Sequence, residues 1–145
     1  MAQGYQQYTQ AYQKAAVNTV DQGKLIVMLY DGAIKFLTQA ADKISKGQQY
    51  EAHTNLVKGK GIIAELMASL NMEKGGDIAL NLQRLYSYMY NELIDANLNK
   101  DTRRLEAVVT LLRELREGWR SVSTEGKTDA APATQGQAKS INLKG

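Results

Sequence analysis

Residues 75–97 read GGDIALNLQRLYSYMYNELIDAN, and the fold of the whole chain hangs on that stretch. Gly75 and Gly76 interrupt whatever precedes them, and Asp77 follows where a carboxylate favours the positive end of a helix. Ile78, Leu82, Leu85, Met89 and Ala96 then recur at helical spacing, which predicts a buried stripe. Tyr86 and Tyr90 widen the apolar side, with core filling as the simplest role for both. A second line, Asn81, Tyr88 and Asp95, repeats every seven residues on another face, polar and aromatic in character. A helix of about 22 residues is roughly 33 Å long, the length of a bundle domain.

The neighbouring stretches are built to pack around it. Residues 21–46 predict a first helix, with Asp21 as N-cap and Gly47 as C-cap. Its centre, LIVMLYDGAIKFL, is apolar around most of its circumference, so this helix must touch at least two others. Residues 50–70 predict a second helix with Ala52, Leu56, Gly59, Ile63, Leu66 and Leu70 in heptad spacing. Gly59 thins its surface and leaves space for a partner. Asn71 to Gly76 reads as a turn. Residues 101–122 predict a fourth helix capped by Asp101, with Leu105, Val108, Leu112, Leu115, Trp119 and Val122 on one stripe. Short connections make sequential helices antiparallel neighbours, and four such helices give an all-α, antiparallel up-down-up-down four-helix bundle.

The ends differ from the body. Residues 1–20 are polar, and Tyr5, Tyr8 and Tyr12 would share one edge of a short helix. Such a segment is too short to stand alone, and it reads either as a frayed terminus or as a short plug that docks its tyrosines into a groove. Residues 124–145 lose all periodicity and have few apolar groups to offset ordering entropy, which predicts a disordered tail. The expected organisation is thus an N-terminal segment over 1–20, a bundle domain over 21–123 and a tail over 124–145.

Composition narrows the function. The single proline is Pro132, beyond the helical body, and there is no cysteine, which removes disulfides and thiolate metal sites and fits a reducing compartment. A net charge of +3, with both signs interleaved along the helices, argues against nucleic acid. No apolar run reaches the ~20 residues that a membrane span needs, and MAQGYQQYTQ has no positive start or apolar core of a signal peptide. The one histidine, His53, cannot make a His-rich metal site, and no Ser or Thr has a histidine partner for a triad. Neither a catalytic centre, nor a cofactor, nor a metal site is expected. Eight tyrosines against one phenylalanine and one tryptophan are unusual, and tyrosine suits rings that are both buried and wettable, as at interfaces. The residues alone leave two readings open, a chaperone for a helical client and a general interaction or adaptor bundle.

The segments LIVMLYDGAIKFL (25–37), MASLNMEKGGDIALNLQRLYSYM (67–89), LIDANLNKD (93–101) and LLRELREGW (111–119) resemble, in order and spacing, the FliS family of flagellar export chaperones. The resemblance covers roughly residues 5–122. It implies a cytoplasmic helical bundle of bacteria that binds the disordered C-terminal segment of flagellin and keeps it unpolymerised. It further implies delivery to the flagellar type III export apparatus, with the export gate as a second partner, and a monomer or weak homodimer. Tyr5 and Tyr8 match the family's N-terminal aromatic pattern near the client groove. Together with Tyr12, Asn81, Tyr88 and Asp95 they form the expected flagellin-binding set. The sequence departs from the family at Thr19, Val20, Asp21 and Gln22, where a proline-containing helix start is replaced and Asp21 must serve as cap.

Overall fold

The computed structural model describes residues 22–125, which form four helices: α1 (Gln22–Ser45), α2 (Gln49–Ala68), α3 (Met72–Asn99) and α4 (Thr102–Glu125). The segment 1–20, the Asp21 cap and residues 126–145 of the expected tail lie outside the described residues. α4 runs to Glu125, two residues into the stretch read as tail. Connections of two or three residues turn each helix back along its predecessor. α1 packs chiefly on α2 and α4, and α3 closes the ring against the same two helices.

The helix ends are built as the residues dictate. At the end of α1 the Gly47 N–H bonds the Ile44 carbonyl and the Gln48 N–H reaches back to the Lys43 carbonyl, with Gly47 at φ +74°. That left-handed conformation is cheap for glycine and satisfies carbonyls that the helix leaves free. Asp101 Oδ1 accepts from the Arg104 N–H at 3.1 Å, the cap expected for α4.

α3 departs from its expected start. Asn71 caps it by accepting from the Lys74 N–H at 2.9 Å, so residues 72–75 are a helical turn rather than part of a loop. The break falls at Gly76 alone, whose φ of +51° and ψ of −132° suit only glycine. The buried stripe is also centred one residue along, on Ala79, Leu82, Tyr86, Met89, Leu93 and Ala96, with Ile78 and Leu85 half-buried beside it. The reason is Tyr86. Its ring is buried because its hydroxyl is hydrogen-bonded to the Tyr30 hydroxyl of α1, which satisfies both polar ends in the core. Tyr90 is half-buried against the core edge.

The α1–α2 contact depends on Gly59. A Cβ there would fall inside the envelope of the fully buried Leu37 side chain. The α4 stripe is buried from Leu105 to Trp119; the Val122 side chain lies outside the described ones. Asn55 is the only buried polar side chain among the described residues, bonding the Glu51 carbonyl through Nδ2 while its Oδ1 has no partner.

Candidate docking face

Three seams of the ring carry charge. Between α1 and α4, Arg116 bonds Asp31 at 2.8 Å, and α4 presents Arg103, Glu106, Arg113, Glu114, Glu117 and Arg120 outward. Between α3 and α4, Arg104 gathers Glu92 at 3.3 Å and Asp95 and Asp101 at 3.5 Å each. Glu92, and then Asp101, hold the Arg104 guanidinium above its ordinary range. The Arg104 backbone N–H in turn holds the Asp101 carboxyl below its own. Between α1 and α2, Lys35 and Lys58 both lie over the Phe36 ring, at 5.9 and 5.7 Å from its centroid.

The α2–α3 face is different. Along α2 the outward residues are Tyr50, His53, Val57, Gly61, Ala64 and Ala68. Beside them α3 presents Leu80, Gln83, Ser87, Asn91, Ile94 and Leu98. These two lines contain no Asp, Glu, Lys or Arg. Lys60, on the seam itself, is drawn over the Tyr90 ring at 5.4 Å. Tyr50 and Leu98 are 79% and 76% exposed, which for large apolar groups marks a surface that another chain would cover. The line runs from residue 50 to 68, roughly 27 Å at helical rise, enough for a docked helix of about five turns.

Three of the expected site residues lie on another line of α3. Asn81, Tyr88 and Asp95 do share one exposed line, with Tyr88 at 52% exposure, but that line is on the flank facing α4, and Asp95 is engaged by Arg104. Tyr5, Tyr8 and Tyr12 lie outside the described residues. The sequence reading passed over Tyr50, Val57, Ile94 and Leu98. Their signal was an apolar residue on a helix already supplied with a full core stripe. Among the described residues no group of three or more His, Cys, Asp or Glu could hold a metal ion, and no helix is long and apolar enough to cross a membrane.

The described residues thus form a ring of four helices with charge along three seams and exposed apolar groups on the fourth face. The family model for flagellar protein FliS matches residues 4–126, and the chain belongs to that family. It is 34% identical over 119 residues to the flagellar secretion chaperone FliS of Bacillus subtilis, covering 82% of this chain and 88% of that protein. It is 38% identical over 117 residues to the flagellar secretion chaperone FliSB of Pseudomonas aeruginosa, covering 81% and 93%. The FliS of Salmonella typhimurium is 36% identical over 128 residues, covering 84% and 91%. The chain is thus a helical-bundle member of a flagellar secretion chaperone family.

Proposed function

We propose that this chaperone is a cytoplasmic binding protein, without catalysis, that holds the C-terminal segment of flagellin on its α2–α3 face. It keeps that segment unpolymerised and hands it to the type III export gate. The observation that carries this reading is the α2–α3 face, where Tyr50, Val57, Ile94 and Leu98 stand exposed and Lys60 is drawn over Tyr90, on a bundle of this family. A disordered client that folds on binding loses chain entropy and must recover it by burying apolar area, and a face with exposed apolar side chains meets that need. The flank line Asn81, Tyr88 and Asp95 forms a second edge for the same client. Residues 1–20, through Tyr5, Tyr8 and Tyr12, act as a displaceable cover that leaves when the client arrives, and the tail takes no part. The free chaperone is a monomer or weak dimer.

The test is calorimetric titration with flagellin and with flagellin lacking its last ~40 residues, a length suited to wrapping a bundle. Binding to the full client and not to the truncated one is expected. The double variant Val57→Asp/Leu98→Asp, with its helical spectrum intact, should lose that binding. Equal retention of both flagellins would defeat the C-terminal reading, and full affinity in the double variant would move the site off this face.

A further inference from the structure

The end of the α1–α2 seam nearest the Gly47 turn opens into a groove of about 660 Å³. Asp42 and Lys43 of α1 line one wall, and Tyr50, Glu51, Thr54 and Asn55 of α2 line the other. The volume falls in the range of ligand pockets, about 300–1,000 Å³.

Asn55 marks the groove as a site. Its side chain is 3% exposed, and its orientation is fixed from within α2. The Glu51 carbonyl, one turn earlier, accepts from Nδ2 at 3.0 Å. A carbonyl only accepts, so the amide cannot turn its oxygen that way. Oδ1 is left as a buried acceptor without a donor. Such an acceptor is costly, and the groove that Asn55 lines is the route by which a donor can reach it.

The rest of the lining defines the donor. Glu51 stands one turn from Asn55 on the same side of α2, exposed and outside every ion pair among the described residues. Asp42 adds a second carboxylate, tied to the exposed Lys46 at 3.1 Å, a pair that exchanges at little cost. Thr54 donates its proton to the Tyr50 carbonyl at 3.1 Å and offers the groove only lone pairs. One ammonium, Lys43, opposes the two carboxylates. Tyr50 sets a ring that is 79% exposed beside these acceptors.

Acceptors, a net negative lining and an exposed ring together suit a guanidinium. It carries five donors in a planar fork, is weakly hydrated and stacks on aromatic faces, whereas an ammonium is compact and strongly hydrated. Residues at i and i+4 on a helix have Cβ atoms about 5–6 Å apart, a spacing that one fork can bridge between Glu51 and Asn55. Tyr50 also begins the outward line of the α2–α3 face, so groove and face are continuous around the start of α2. A chain lying on that face passes the mouth of the groove.

We propose that the groove is an arginine pocket for the docked client, whose guanidinium bridges the Glu51 carboxylate and Asn55 Oδ1 and lies on the Tyr50 ring. The proposal rests on the docking reading above. Exposed apolar groups can receive many amphipathic helices. The pocket selects among them and sets their register, because a chain without arginine at that point leaves Asn55 unpaired.

Two titrations of the full chain test this. The first follows the Asn55 side-chain amide and Tyr50 ring resonances on adding acetyl-arginine amide, with acetyl-citrulline amide as the uncharged control. Shifts are expected with the arginine compound alone, weakened in Glu51→Gln and strengthened in Lys43→Gln. Equal responses to the two compounds, no response to either, or the reverse order in the charge variants overturns the pocket. The second measures affinity for the C-terminal flagellin segment. Glu51→Gln should weaken it about tenfold. Asn55→Leu, with its helical spectrum intact, should weaken it as well. Replacing the arginines of the segment by glutamine one at a time should find one replacement with a like cost, and that replacement should cost little more in the Glu51→Gln chain. Binding by the natural chain that none of these changes weakens overturns the proposal and leaves the docking reading standing. No binding by the natural chain defeats the docking reading, and the client pocket with it.

Discussion

The α1–α4 seam and the α2–α3 face are made by helices of similar length, yet one is lined with charge and the other with exposed apolar groups. On α4 each apolar stripe residue described is spent inward, and what remains outside is Arg and Glu with the small Ala107, Thr110 and Ser121. On α2 the inward stripe is equally complete, from Ala52 to Leu66, but Tyr50, Val57 and Ala64 are left outside as well. A helix that carries more apolar surface than its own core needs has a second use for it. If the proposed docking holds, stability and binding are divided between the two sides, and substitutions should separate them.

The largest effect is expected on the closed side. Leu112 is fully buried, and Leu112→Ala should lower the unfolding free energy by about 2–5 kcal/mol. A loss under ~0.5 kcal/mol in denaturant unfolding would mean that the α4 stripe is not the closed core described.

Next comes the hydroxyl pair within the core. Tyr30→Phe strands the Tyr86 hydroxyl and should cost about 1–3 kcal/mol, whereas Tyr30→Phe with Tyr86→Phe should recover most of it. A double variant no better than the single would show that the pair is not an isolated unit. Burial pushes both phenols above their ordinary value. The stability they carry is therefore whole below the unfolded tyrosine range of about pH 10 and is lost as pH rises beyond it. Alkaline unfolding of the double variant should be shallower.

Gly59→Ala tests the α1–α2 contact. Alanine gains about 1 kcal/mol of helix propensity, but its methyl must displace the enclosed Leu37, an overpacking that costs about 1–3 kcal/mol. A net loss is expected, and a rise in melting temperature would show that Leu37 has room to retreat. The smallest effect belongs to the open face. Leu98→Ser should change stability by no more than ~0.5 kcal/mol while weakening the client complex in titration. A destabilisation as large as that of Leu112→Ala would erase the division between the two sides.

Much of the fold was legible because it is local. Heptad spacing in α2 and α4, Gly47 beyond α1 and Asp101 before α4 each need only nearby residues to be read. The register of α3 was not, because what draws Tyr86 inward is a hydroxyl on Tyr30, 56 residues earlier in the chain. Gly75 and Gly76 look alike in sequence, and only the chain path decides that Gly76 alone takes a positive φ. Which apolar residues stay exposed was hidden for a related reason. Whether Val57 or Leu98 is covered depends on which side of the ring α1 and α4 occupy, and periodicity within one helix does not carry that. Asn81, Tyr88 and Asp95 were visible as a line, but Arg104, which takes up Asp95, comes from the next helix.

The two- and three-residue connections between the helices also set a clock. Neighbouring helices meet almost as soon as both exist, the α1–α4 contact waits for the last helix, and helical bundles fold in microseconds to milliseconds. Synthesis at about 5–20 residues per second needs on the order of ten seconds for a chain of this length. Folding is thus faster than production by a factor of a thousand or more, so the bundle is finished within moments of α4 leaving the ribosome. The supply of competent protein then follows its rate of translation, with no maturation delay between message and working molecule.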